Sequence, residues 1–502
     1  MCLIALDIGT SGVRAVLYDL SGGKMTDISF EYHSDFPAPG YVEQDPETWK
    51  EAAIYCLQGV GGYVKAHGIR PEAIAVTSQR SSLIPVDKKG RPLRSAIMWQ
   101  DKRTIPQCSQ LSSEYTLKSL YLKTGLRINP YFVLPKILWL RENQREIYNS
   151  AFKFLGVQDY VIHCLTGEYK TDCSQACRTM LMNIETFRWD QELLNIAGIS
   201  ENMLPELLPP GSIAGFLIGE VAEKVQLPSG LPVIMSGGDQ QNAAVALGVI
   251  KPGLAEANTG TGSFVISAVG KPVFDQDSRV LCQASAIPGQ WIMEAGIFNS
   301  GSIYRWFKEQ FYPELKNEKH PYEIMDREAG EVQTGSNGVI MIPHFEGSAA
   351  PYWNPIAKGL FFNLSLGLKR AALTRSILEG IAIEIHDNIS LIENLTGAIE
   401  TVSVAGGMVR SDLFCSIQAS VYNKKVARYQ NTEASSLGAA ITAAARLGIY
   451  RGIEEAYYRM LQDGPYIFYP VNEDAIKYSE IIKRKNILYG SLNSQEIYKY
   501  FV

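Results

Sequence analysis

The stretch Cys2–Gly22, CLIALDIGTSGVRAVLYDLSG, decides how the rest of the chain is read. An apolar strand ends on Asp7, a turn of small residues follows, and a second strand runs from Val13 to Leu20. Gly9 and Gly12 have no Cβ, so the amides of Gly9, Thr10 and Ser11 can approach an anion closely. Asp7, at the mouth of that turn, can hold a hydrated Mg2+ through one carboxylate while phosphates supply other ligands. Arg14, just beyond, can add a charge-assisted hydrogen bond to an oxyanion. Taken alone, the stretch reads equally well as an ordinary β-hairpin with a solvated aspartate.

A second, similar stretch changes that balance. Ala255–Asn258 and Phe264–Val269 read as strands joined by Thr259-Gly260-Thr261-Gly262-Ser263, again strand, Gly/Thr/Ser turn, strand. This is the signature of an internal duplication, each half a sheet flanked by helices. Just before it, PVIMSGGDQQNAAVALG gives a short apolar strand, two glycines, Asp239 and an Ala-rich helix. Later, Val402–Ala405 ends in Gly406-Gly407 and is followed by the helical SDLFCSIQASVY. Glycine-bearing turns at 9–12, 260–262 and 406–407 suit one nucleotide, the first two for phosphates and the third, opening a helix, for the nucleoside.

Length and composition set the frame. At 502 residues two domains are expected, divided near Gly248–Gly253 into 1–248 and 249–502. Hydrophobic residues at 46% and charged residues at 20% suit a soluble globular protein, and the net charge of -5 gives no electrostatic case for nucleic acid or an anionic membrane. There is no apolar run long enough to span a bilayer and no signal-peptide pattern, and the eight scattered cysteines suit a reducing compartment, so a cytoplasmic protein is expected. Cys173 and Cys177 have no nearby His to complete a zinc set, so no metal is expected there.

Along the chain, Ile28–Phe36 reads as a third strand. Asp45 is an N-cap with Pro46 at the first helical position, and that helix runs toward Val64 and closes at His67-Gly68. Strand Ala73–Thr77 leads into Ser78-Gln79-Arg80-Ser81, and short strands are expected at Ser82–Val86 and Ala96–Trp99. Polar residues just past a buried strand are where α/β proteins place ligand groups. From about 111 to 210 the spacing is helical. Thr374 reads as the cap of a long amphipathic helix, and SSLGAAITAAARLG as a helix with so little bulk that it packs closely on a neighbour.

Several chemistries lose their entry point. There is no G-x-x-x-x-G-K-[ST], no G-x-G-x-x-G, no H-E-x-x-H and no G-x-S-x-G. Asp239 is the most informative single residue, because an alcohol attacking a γ-phosphate needs a positioned carboxylate to accept its proton. The alternative is that Asp239 merely caps the helix that follows it.

The motifs Asp7-Ile-Gly-Thr-Ser, SGGDQQ, NTGTGS, APYWNPIAKGLF, LEGIAIEI, AGG and SSLGAA resemble, in order and from Leu3 to about Leu447, those of the FGGY carbohydrate kinases of the actin-like ATPase superfamily. The resemblance implies an α/β fold of two ribonuclease-H-like domains. ATP with Mg2+ and a sugar or polyol would meet in a cleft between them, with a homo-oligomer possible. The substrate segments SQRSS, WQDKRT and TGLRINPYF look most like glycerol kinases, whereas xylulose kinases typically carry Met-His-Gly in place of Gln-Arg. By that match Gln79, Arg80, Trp99, Tyr131, Gln240 and the apolar wall Phe264 would line the acceptor site, with Asp239 as base. Asp7 and Asp239 would hold the metal. Gly9, Thr10, Ser11, Arg14, Gly260, Thr261, Gly262, Gly301, Arg305, Gly406, Gly407 and Ser411 would hold the nucleotide.

Two departures stand out. Glycerol kinases have Glu directly after the Arg, and this chain has Ser81; either glycerol binds more weakly and a longer polyol or ketose is preferred, or another carboxylate such as Asp101 takes over. Ser411 stands where glycerol kinases tend to have Asn. The expected activity is ATP-dependent phosphorylation of a primary hydroxyl. The rivals are a xylulokinase-like ketose kinase and, from another class, a non-catalytic actin-like ATP-binding regulator. A dehydrogenase is disfavoured by the missing dinucleotide fingerprint.

Overall fold

The opening hairpin forms as read, with Asp7 opposite Arg14 across the antiparallel pair and Gly9 N–H closing the turn on Gly12 O at 2.9 Å. Around it, the computed structural model describes residues 1–429 and 433–501. In chain order the framing strands are β1 (Cys2–Ile8), β2 (Gly12–Asp19), β3 (Lys24–Glu31), β4 (Pro71–Ser78), β5 (Ile213–Phe216), β6 (Pro232–Gly238), β7 (Leu254–Thr259), β8 (Ser263–Val269), β9 (Trp291–Ile297), β10 (Thr401–Ala405), β11 (Lys425–Arg428) and β12 (Tyr466–Phe468). The helices used below are α1 (Pro46–Ala66), α2 (Asp239–Ala246), α3 (Gly301–Phe311), α4 (Arg370–Thr396), α5 (Asp412–Tyr422) and α6 (Ala434–Arg446).

The protein is a mixed α/β fold of two units, and its chain does not divide between them at a single point. One unit comprises Met1–Ile250, Gly270–Ile292 and Glu433–Gln462, and the other Lys251–Val269, Met293–Thr432 and Asp463–Val502. In the first unit the strands hydrogen-bond in the order β5-β6-β4-β1-β2-β3. The sheet of the second has seven strands among the described residues, and six of them follow β12-β11-β10-β7-β8-β9, which matches the first position by position. The senses match too. β6-β4-β1 and β11-β10-β7 are parallel runs, while β5/β6, β12/β11, β1/β2 and β7/β8 are antiparallel. Parallel neighbours require a crossover, and each crossover returns the chain to the same sheet edge.

The period-2 alternation of β1 sends its side chains to opposite faces. Cys2, Ile4, Leu6 and Ile8 pack with Trp49, Ala53, Cys56 and Leu57 of α1. Leu3 and Ala5 pack with Leu437, Ala440 and Ala444 of α6. Helix α1 starts as expected, Asp45 accepting from Glu47 N–H at 3.0 Å with Pro46 next. The alanine-rich α6 does approach α2 closely, since a Cβ on Gly438 would lie 1.9 Å from Asn242 O.

Other boundaries differ from the sequence reading. The third strand is Lys24–Glu31 rather than Ile28–Phe36, because it extends by pairing with β2 from Tyr18 to Gly12. The short strands shrink to Ile84–Val86 and Ala96–Ile97. Thr374 does not cap α4. The helix begins at Arg370, and Thr374 is buried one turn inside it, within hydrogen-bond distance of Tyr312 Oη. Arg370 is fixed at the helix start by Glu328 at 3.0 Å and by Glu314, tertiary contacts that override the local cap signal. Among the described residues no helix is long and apolar enough to cross a membrane.

Gly438→Ala is expected to lower the thermal midpoint, since the added methyl meets backbone rather than a movable side chain, a strain of about 1–3 kcal/mol. Gly438→Val should lower it further, and thermal denaturation of both variants checks this.

Candidate active site

In the first unit the three parallel strands end together. β1 pairs Asp7 with Thr77 and Ile8 with Ser78, and β6 pairs Gly238 with Ser78. Their next residues, Gln79, Arg80 and Asp239, therefore emerge at one edge of the sheet. Arg80 Nε lies 3.5 Å from Asp239 Oδ1, and its Nη1 donates to both Gln241 Oε1 at 3.1 Å and Gln283 Oε1 at 3.2 Å. Asp239 is not the helix cap. Gly238 holds that position, and Asp239 Oδ1 accepts from its own neighbour's amide, Gln240 N–H, at 2.7 Å.

Asp7 is half-buried at the end of β1, and its Oδ1 is buried with no hydrogen-bond partner. Burial pushes its carboxyl up to about 7, the charges of Asp239 and Glu433 add to the shift, and Arg14 opposes it. Arg14 is engaged with Glu433 and, at 3.9 Å, with Asp27. The turn itself is held by its carbonyls. Gly9 O accepts from Tyr32 Oη at 2.6 Å and Gln79 Nε2 at 3.2 Å, Thr10 O from Gln44 Nε2 at 2.7 Å, and Ser11 O from Tyr32 N–H at 3.0 Å. Thr10 Oγ1 donates to Gln79 Oε1 at 3.2 Å and accepts from Trp99 Nε1 at 3.1 Å. Trp99 in turn packs on Tyr131, ring centroids 5.2 Å apart. The structure thus joins Thr10, Gln79, Trp99 and Tyr131 in one chain of contacts and Arg80 to Asp239 in another.

Ser81 occupies a backbone conformation at φ 69°. Its carbonyl accepts from Lys136 Nζ at 2.8 Å and its hydroxyl from Arg178 Nε at 3.4 Å. Arg178 lies over the Tyr131 ring at 4.7 Å. Lys136 is buried, and burial pulls its ammonium down to about 7. Asp101 is committed elsewhere. Its oxygens accept from Arg103 Nε at 2.9 Å, Arg103 Nη2 at 2.7 Å and Val42 N–H at 2.6 Å.

The second unit carries its own cavity, about 580 Å3, lined by Thr259, Gly260, Thr261, Gly301, Tyr304, Arg305, Gly407 and Ser411 among others. That is the size of a small-molecule site. The turn repeats the first one, with Gly260 N–H closing on Gly262 O at 2.9 Å. Close approach explains its glycines. A Cβ on Gly262 would lie 2.5 Å from Ile297 O, and one on Gly301 would lie 2.5 Å from Gly260 O. Gly406 needs its φ of 99° and would meet Thr259 O at 2.3 Å. Gly301 N–H is used on Gly260 O at 2.9 Å, which fastens α3 to the turn. Ser411 Oγ accepts from Phe414 N–H at 3.1 Å as the cap of α5. Phe264 also belongs to this unit, its ring packed over Gly296.

The sequence reading missed Lys136, Arg178, Gln241, Gln283 and Glu433 in the first unit and Tyr304 and Asp326 in the second. Gln241 closes the SGGDQQ motif and was passed over there, whereas the others sit in no short motif and reach their neighbours through tertiary packing.

The sequence pattern of the FGGY family of carbohydrate kinases, N-terminal domain, matches residues 2–246, and that of the C-terminal domain matches residues 255–447. The chain belongs to this family. A glycerol kinase from Thermococcus onnurineus is 32% identical over 494 residues, covering 96% of this chain and 97% of that protein. One from Caldanaerobacter subterraneus subsp. tengcongensis is 32% identical over 471 residues, covering 90% and 91%. Among solved structures, a xylulose kinase from Lactobacillus acidophilus aligns over 100% of both chains with TM-score 0.93 and 24% identity. A Plasmodium falciparum glycerol kinase with ADP covers 96% of this chain and 97% of that one, with TM-score 0.89 and 24% identity. This FGGY protein is therefore an ATP-dependent carbohydrate kinase with a small-molecule acceptor.

Gly301→Ala is expected to raise the KM for ATP about tenfold, equivalent to about 1.4 kcal/mol, by displacing the 260–262 turn. The KM for the acceptor should stay within about twofold, and initial-rate kinetics in both substrates check the split.

Proposed function

We propose that this kinase transfers the γ-phosphoryl group of ATP to a primary hydroxyl of a polyol or ketose longer than glycerol, with Asp239 as the general base. The single observation carrying this reading is the pairing of Asp239 with Arg80 at the sheet edge that also holds Asp7. Arg80 would orient the carboxylate and leave it able to take the hydroxyl proton as the alcohol attacks in line. Arg80, Trp99, Tyr131 and Gln240 would orient the acceptor.

Asp7 and Asp239 fit a divalent cation, because Asp7 Oδ1 is a buried oxygen without a partner and the neighbouring carboxylate pushes its pKa further up. Mg2+ held there would neutralise charge on the transferring phosphoryl group, the remaining positions falling to water and phosphate oxygens. With the Gly9 and Gly260 N–H groups closing their own turns, the amides of Thr10 and Ser11 in the first unit and of Thr261 and Gly262 in the second would each offer donors to phosphate oxygens, and Arg14 would add to those of the first. Arg14 must leave or share Glu433 to do so. The nucleoside would occupy the cavity formed by Gly301, Arg305, Gly406, Gly407 and Ser411.

Ser81 supports an acceptor other than glycerol. Its one hydroxyl already accepts from Arg178, and the alternative acid, Asp101, is tied to Arg103. A carboxylate that accepts two hydroxyl bonds is thereby missing, a difference of about 1.5–3 kcal/mol per bond to a charged group. A ketose kinase of the xylulokinase type is the second reading, favoured by the room a serine leaves.

Asp239→Asn should lower kcat by about 10²–10⁴ while ATP still binds. Near-normal turnover in that variant would remove Asp239 from the mechanism. Measured by ADP release over glycerol, erythritol, xylulose, ribulose and gluconate, the wild-type chain should prefer a longer acceptor to glycerol. Ser81→Glu should shift the preference toward glycerol by about tenfold in kcat/KM.

A further inference from the structure

The cavity of the second unit contains an acid that an anion-binding pocket does not call for. Asp326 lines it beside Tyr304, Arg305 and Ser411. Its Oδ1 accepts from Tyr304 Oη at 2.6 Å, and the hydroxyl of Ser411 also bonds to it. Ser411 is fixed as the cap of α5, and Tyr304 is fixed on α3 by stacking against Tyr322 with ring centroids 5.5 Å apart. The carboxylate is therefore oriented from two helices, with about two of its four lone-pair sites left.

Phosphates cannot be its partners, since like charges repel, and the same cavity offers them Arg305 and the turn at Thr259-Gly260-Thr261. A carboxylate wants paired donors. The Watson–Crick edge of adenine presents a donor beside an acceptor, so one contact there would be repulsive. The vicinal hydroxyls of a ribose present two donors at the spacing one carboxylate accepts.

We propose that Asp326, oriented by Tyr304 and Ser411, is the residue that binds the ribose hydroxyls of the nucleotide and makes this kinase prefer ribonucleotides to deoxyribonucleotides. This rests on the reading that the 580 Å3 cavity is the nucleoside site. It assigns a specificity role to a side chain that no motif marks.

The test is isothermal titration calorimetry on the full chain with ATP, 2′-deoxyATP, 3′-deoxyATP and GTP, for wild type, Asp326→Asn, Asp326→Ser and Gly407→Leu. Gly407 has open space where its Cβ would stand and lines the cavity, so a leucine there would fill it. The wild type should bind ATP at least about tenfold tighter than either deoxynucleotide. Both Asp326 variants should bring that ratio to within about twofold, by losing affinity for ATP and not for the deoxynucleotides. An unchanged ratio would overturn the proposal. So would an equal loss for all nucleotides, which would mean that Asp326 only props Tyr304 and Ser411, or a wild-type preference for GTP that Asp326→Asn removes, which would place the acid on the base. If Gly407→Leu leaves ATP affinity intact, the underlying reading of the cavity fails as well. If Gly407→Leu abolishes ATP binding while Asp326→Asn keeps the wild-type ratio, only the ribose assignment fails.

Discussion

Two carboxylates at one edge of one sheet, Asp7 on β1 and Asp239 just past β6, are the constraint from which the chemistry follows. Parallel register fixes them, because both strands are aligned against the same residues of β4. Asp7 keeps one buried, unpartnered oxygen, and the charge of Asp239 raises the cost of ionising it. Arg80 stands 3.5 Å from Asp239, and Arg14 only partly offsets the shift of Asp7. Such a site is unfavourable on its own and would become favourable if positive charge were brought to it. Strain of this kind is retained where function needs it.

The second unit uses the same strand order for a different purpose. Where β4 ends in Gln79-Arg80, β10 ends in Gly406-Gly407, and where the first hairpin has Asp7 beneath its turn, the second has a glycine turn fastened to α3. Under the proposed function, acids and an arginine would make one edge reactive, and glycines would make the other permissive to a bulky ligand. Duplication supplied the scaffold, and a handful of residues at the strand ends divided the labour.

Much of this was legible in the chain itself. The two Gly/Thr/Ser hairpins, the Asp45 cap and the crowded α6 are local or periodic signals, and local signals survive folding. The start of α4 was not legible, because Arg370 is held by Glu328 and Glu314 from other elements, and that outweighs a threonine cap. The composition of the first unit was hidden for a related reason. Gly270–Ile292 and Glu433–Gln462 return to it from far along the chain, with no shift in composition to announce them. At the site, Arg80, Trp99, Tyr131 and Asp239 sit in recognisable segments. Arg178, Gln283 and Asp326 reach their partners only through tertiary packing, which periodicity and motif spacing do not encode.

The central claim is that Asp239 takes a proton and never carries the phosphoryl group. A single in-line displacement by the acceptor hydroxyl must invert the configuration at phosphorus, whereas two successive displacements through a protein carboxylate restore it. The most direct measurement is the stereochemical course of transfer from ATP made chiral at its γ-phosphorus with oxygen isotopes. Inversion in the phosphorylated product is the predicted result. Retention would show that the group first lands on the protein, and would contradict the account.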